Sequence, residues 1–121
     1  MFTIILPAEG PRGMYRDNAP DDEAGLLVWL RTRLGGQLRR IGLSSGREMW
    51  VNPDGIGQDL PMNRAATAIV GFSQEGADPV YGDAIVMASN GPDSQGLNRD
   101  QALITYGELH APWLFFADLI N

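Results

Sequence analysis

Gly42–Leu43–Ser44–Ser45–Gly46 matches the G-x-S-x-G pattern that can present a nucleophilic serine. That pattern works only as a sharp elbow between a strand and a helix. Here apolar residues on both sides read as two strands, so Ser44–Ser45–Gly46 reads as a hairpin turn, and 121 residues are too few for an α/β-hydrolase frame. The sole histidine, His110, stands between a helical stretch and an aromatic tail. No nucleophile or acid is spaced to partner it as a general base, so capping or packing is its expected role. The chain has no cysteine, which removes thiolate chemistry, disulfides and Cys-type zinc or iron–sulfur sites. Only an all-oxygen Mg²⁺ or Ca²⁺ site is left to consider, and Asp54 and Asp59 lack EF-hand spacing. There is no lysine for a Walker A loop, and Gly55–Ile56–Gly57 lacks the third glycine of a dinucleotide fingerprint. The expectation is a protein that is not an enzyme, with no catalytic residue, no metal and no cofactor.

Binding chemistry is better represented. Nine cationic residues, all arginine, stand against 15 acidic ones for a net charge of −6. That balance argues against general affinity for nucleic acid, which rests on a surplus of Lys and Arg. Arg31, Arg33, Arg39, Arg40 and Arg47 nonetheless fall in a window without acids, just after Asp17, Asp21, Asp22 and Glu23. Such a stretch can hold a phosphate or carboxylate, and it equally fits solvated positions at a helix end and a hairpin. Asn63 and Arg64 would open a helix, where free N–H groups and the dipole favour an anion, although plain capping by Asn63 accounts for them too. The candidate anion site is therefore Arg39, Arg40, Arg47, Asn63 and Arg64. Trp113, Phe115, Phe116 and Leu119 are the candidate interface, because aromatic residues on more than one side of a short helix leave apolar surface over. The alternative is that they complete the core. An interface of this kind points to a homo-oligomer, with a symmetric dimer as the commonest solution.

These residues must be positioned by a small set of elements. Phe2 to Leu6 reads as a strand stopped by Pro7, with a partner around Met14 to Arg16. Pro20 to Leu34 reads as a helix: proline and acids in the first turn, Leu26, Leu27, Leu30 and Leu34 at helical spacing, and Gly35–Gly36 at the end. A β-hairpin is expected over 37–52, closed by the turn Pro53–Asp54–Gly55. Asn63 caps a helix over 63–70 that Gly71 ends, and Val80 to Ala88 reads as a buried strand followed by a polar loop from Asn90 to Gly96. Asn98 and Gln101 form a capping box for a helix over 98–106, with Leu97 and Ala102 as its staple, and Pro112 starts a last helix over 112–120. Hairpins and helices without βαβ alternation predict an α+β fold, a mainly antiparallel sheet packed by three or four short helices. At this length one domain over residues 1–121 is expected, burying about two thirds of its unfolded surface. The N-terminal run has no signal-peptide pattern and no apolar stretch approaches the ~20 residues of a membrane span, which predicts a cytoplasmic protein without membrane association.

The succession VNPDG, LPMNRAATAIVG and YGDAIVMA over Val51 to Ala88 resembles the signature of a domain-of-unknown-function family of small phage, plasmid and bacterial proteins. The downstream GLNRDQA is similar to that family's turn and capped helix. The resemblance implies a phage or mobile-element accessory protein and brings no residue roles with it. Two expectations follow. One is a non-enzymatic protein that binds a host or defence protein, or itself. The other is a binder or sponge for a phosphate-bearing, nucleotide-like molecule.

Overall fold

The computed structural model describes residues 1–9 and 13–110. They form β1 (Phe2–Leu6), β2 (Tyr15–Asn18), α1 (Glu23–Leu34), β3 (Arg39–Leu43), β4 (Arg47–Val51), α2 (Arg64–Ser73), β5 (Ala84–Asn90), β6 (Asp93–Gln95) and α3 (Arg99–His110). This is the expected α+β class. The strands lie in the order β2-β1-β5-β4-β3, every pairing is antiparallel, and β6 folds back on the end of β5. The expected hairpin is β3–β4, one edge of a six-stranded sheet. The helix expected over 112–120 lies outside the described residues.

Alternation along β5 makes the sheet the middle of three layers. Ala84, Val86 and Ala88 join Ile4, Met49 and Val51 and the α2 residues Ala66, Ile69 and Val70 on one face. Ile85 and Met87 join Ile5 and the α1 residues Leu26, Leu30 and Leu34 on the other. All five residues from Ala84 to Ala88 are fully buried. A strand covered on both faces shows a continuous apolar run, the pattern visible in the sequence. Each large apolar side chain withdrawn in this way contributes about 1.5–3 kcal/mol.

Local polar groups set the element ends. Asp22, not Pro20, begins α1, because its carboxylate accepts from the Gly25 N–H at 2.8 Å and extended backbone at Asp22 makes it the cap. At the far end Gly35, at φ 97°, turns the chain and donates to Arg31 O. Helix α2 runs through Gly71 to Ser73, since Gly71 does not take the positive φ that ends a helix and a helical glycine only weakens it. Strand β5 starts at Ala84 rather than Val80. The Val80 backbone is diverted, its N–H donating to Thr67 Oγ1 and its carbonyl accepting from the Asn63 N–H. The segment read as a polar loop holds β6, reached through Gly91 at φ 62°. The capping box of α3 forms as expected: Gln101 N–H donates to Asn98 Oδ1 at 2.8 Å and Asn98 N–H to Gln101 Oε1 at 3.0 Å.

Candidate functional site

The five anion-site candidates do not meet. Adjacent residues on a strand point to opposite faces, so Arg39, opposite Val51, and Arg40, opposite Trp50, diverge. Arg39 is exposed at the wall of a 560 Å³ hollow that also touches Asn52, Gln74, Asp78 and Tyr81. On the α1 side, Arg40 Nη1 donates to Pro92 O at 2.9 Å and lies 3.7 Å from Glu48 Oε1. Glu48 is itself buried, its Oε2 accepting from Trp50 Nε1 at 2.6 Å and Ser94 Oγ at 2.7 Å, while its Oε1 has no hydrogen-bond partner.

Arg47 is withdrawn altogether. Its Nη1 donates to Glu108 Oε1 at 2.6 Å and Thr105 Oγ1 at 3.0 Å. Its Nη2 donates to Glu108 Oε2 at 3.2 Å and Ser44 Oγ at 3.1 Å, and its Nε to Ser44 O at 3.0 Å. A guanidinium has five N–H donors in a fixed fork, and these bonds use all of them. An outside anion finds no donor here, so Arg47 serves as a clamp between the β3–β4 turn and α3. Ser44 of the G-x-S-x-G pattern is one of its acceptors, inside a hairpin turn whose Ser45 and Gly46 take φ 63° and 68°. That is the turn geometry matching strand twist, not a nucleophile elbow.

Asn63 is equally committed. Its Oδ1 caps α2 through the Ala66 N–H at 3.0 Å, and its Nδ2 donates to Leu6 O at 2.8 Å and Gly82 O at 2.9 Å. Arg64 follows it, exposed. His110 ends α3 rather than following it, stacked on Tyr106 with centroids 4.0 Å apart. Trp113, Phe115, Phe116 and Leu119 lie outside the described residues. Among the described residues no group of three or more His, Cys, Asp or Glu could hold a metal ion, and no helix is long and apolar enough to cross a membrane.

What the structure brings together is a groove that residue types alone do not announce. It encloses about 780 Å³ between the β1–β2 pair and α3, floored by Phe2, Ile4 and Met14 and walled by Leu97, Leu103 and Tyr106. Leu103 and Tyr106 are 56% and 52% exposed. Arg16 and Arg99 stand at its rim, and neither has an ion-pair partner among the described residues. The guanidinium carbon of Arg16 lies 6.0 Å from the centre of the Phe2 ring. Helix α3 forms its wall by burying Gln101, Thr105 and Glu108 and turning Leu103 and Tyr106 outward, an orientation that its evenly spread apolar residues do not signal in the sequence. Comparison with protein-family models, with curated proteins and with solved structures finds no match to this chain.

Proposed function

We propose that the protein is a non-enzymatic accessory protein, of a phage or mobile element as the VNPDG to YGDAIVMA resemblance implies, acting in the host cytoplasm. It works by binding an acidic, apolar segment of a host or defence protein in the groove between β1–β2 and α3. The observation that carries this reading is the outward face of α3, where Leu103 and Tyr106 stand exposed beside an apolar trough. Exposed apolar surface rimmed by polar groups is the mark of a protein contact. Arg16 and Arg99, without an ion-pair partner among the described residues, place local positive charge at the rim of a chain that carries −6 overall, and there they favour an acidic partner. The sponge for a phosphate-bearing molecule has less support, because Arg47 and Asn63 have no donor left and Arg39 and Arg40 face apart.

The test is crosslinking mass spectrometry of the full chain with its host proteome, alongside a Leu103→Asp, Tyr106→Asp double variant. Crosslinks from a captured protein should map to β2 and α3 and vanish in the double variant. A partner retained undiminished by that variant would refute the groove. Native mass spectrometry of the same material reads whether the occupant is a second copy, which is the homodimer reading, or another protein.

A further inference from the structure

We infer that the segment held in this groove docks as an added β-strand along β2. The inference rests on the groove reading above and specifies its geometry. The register decides which backbone groups are free. Met1 and Ala19 exchange both hydrogen bonds, Ala19 N–H to Met1 O at 2.8 Å and the Met1 amine to Ala19 O at 2.7 Å. In an antiparallel pair such bonded couples alternate with unbonded ones. Thr3 with Asp17 and Ile5 with Tyr15 are therefore bonded couples, and Ile4 with Arg16 is an unbonded one. The N–H and C=O of Arg16 accordingly point away from β1, to the outside of the sheet. Asn18 presents only its carbonyl there, since its N–H donates to Asp17 Oδ1 at 2.8 Å.

Among the described residues, the opposite edge is closed by helix side chains and β2 is not. At β3 the Gly42 carbonyl accepts from Gln74 Nε2 at 2.9 Å, and the following Ser44 N–H donates to Ser73 Oγ at 2.8 Å. Side chains from the end of α2 thus cover that border, while among the described residues no helix side chain bonds to the outer backbone of β2. The outer edge at Arg16, unbonded among the described residues, also adjoins the groove, because Met14 and Arg16 line it. A strand laid against β2 would turn alternate side chains into the trough and the others away from it, since the side-chain period is two. Backbone pairing then supplies affinity and the trough supplies selection, the division of labour found wherever peptides extend a sheet. Arg16 on β2 and Arg99 at the start of α3 place positive charge where acids flanking the apolar stretch would lie. The occupant is thus an extended segment with apolar residues at every second position and acids at its ends.

Two synthetic peptides of one composition test this on the full chain: leucine alternating with threonine between terminal aspartates, and the same residues reordered so that leucines recur at helical spacing. Strand addition predicts that the alternating peptide binds more tightly and that N-methylation of its amides along one edge weakens it at least about tenfold, from loss of two or so backbone hydrogen bonds. Methylation along the other edge leaves affinity unchanged, and the Arg16 amide becomes protected from hydrogen exchange. If the helical order binds as well or better and methylation has no effect, while Leu103→Asp abolishes binding, the groove stands and strand addition is overturned. If neither peptide binds at ~1 mM, an affinity weaker than about 4 kcal/mol, the groove reading falls with it.

Discussion

Replacing Asn63 separates a brace from a mere cap. Three elements converge on its side-chain amide: the start of α2 through Ala66, the end of β1 through the Leu6 carbonyl, and the turn into β5 through the Gly82 carbonyl. The residue is 1% exposed, so water cannot replace these bonds without rearrangement. In Asn63→Ala the lost cap costs ~1 kcal/mol, the Gly82 carbonyl deprived of this donor adds ~1–3 kcal/mol, and the Leu6 carbonyl, which keeps its pairing with Ala84 in the sheet, adds about 0.5–1.5 kcal/mol for the bond it loses. The expected total is about 3–5 kcal/mol after partial relaxation, or roughly 10–20 °C in Tm for a chain of this length. Asn63→Asp keeps the cap acceptor and gains a little from the helix dipole, yet it removes both donors and sets negative charge against two carbonyl oxygens. It should cost at least as much as Asn63→Ala. Asn63→Ser, which retains only the cap, should fall between that variant and the native chain. Urea unfolding with unchanged m-values measures all three. If Asn63→Asp costs less than ~1 kcal/mol, the two donor bonds contribute nothing and the brace reasoning is wrong.

The Arg47–Glu108 clamp should behave as buried pairs do. Arg47→Met or Glu108→Leu alone should cost about 3–5 kcal/mol by stranding the other charge, while the double variant lies within ~1 kcal/mol of the native chain or above it. A double-mutant cycle in urea reads the difference, and additivity of the single costs would refute the clamp. Gly82→Ala should cost about 1–2 kcal/mol from φ alone, since Gly82 sits at φ 87° and the nearest obstruction to a Cβ is the flexible tip of Leu60 at 2.8 Å; thermal denaturation measures it. Leu103→Asp and Tyr106→Asp, by contrast, should move stability by no more than ~0.5 kcal/mol; a large loss in calorimetry would mean that these side chains belong to the core rather than to a binding surface.

Which parts of this fold are legible in the sequence depends on how far a residue's determinants lie along the chain. Asn63 and the Asn98–Gln101 box act on backbone three residues away, and their element starts can be read directly, whereas Pro20 and the run of acids after it mask the start of α1 that Asp22 sets. Ala84 to Ala88 announces a strand because burial on both faces leaves no position polar. The hairpin turn was readable from Ser44–Ser45–Gly46. The extension of α3 to His110 was not, because the partner that draws Glu108 inward is Arg47, 61 residues earlier. The arginine window misleads for a related reason. Proximity along a strand is not proximity in space, and a period of two sends Arg39 and Arg40 to opposite sides of the sheet.

The residue subtracted from the anion site helps to create the groove. At about 100° per residue, Gln101, Thr105 and Glu108 share one face of α3, and Leu103 and Tyr106 fall roughly opposite. Hydropathy alone sets no orientation for this helix, because its apolar residues are spread around it. Arg47 makes the choice, since Glu108 and Thr105 supply three of the five acceptors that its buried guanidinium requires. Gln101 holds the same orientation by donating from Nε2 to the carbonyls of Ser45 and Gly46 at 3.0 and 3.1 Å. Leu103 and Tyr106 are outward because Gln101, Thr105 and Glu108 are needed within. A charge buried beneath α3 and an apolar surface above it are therefore two consequences of a single packing decision.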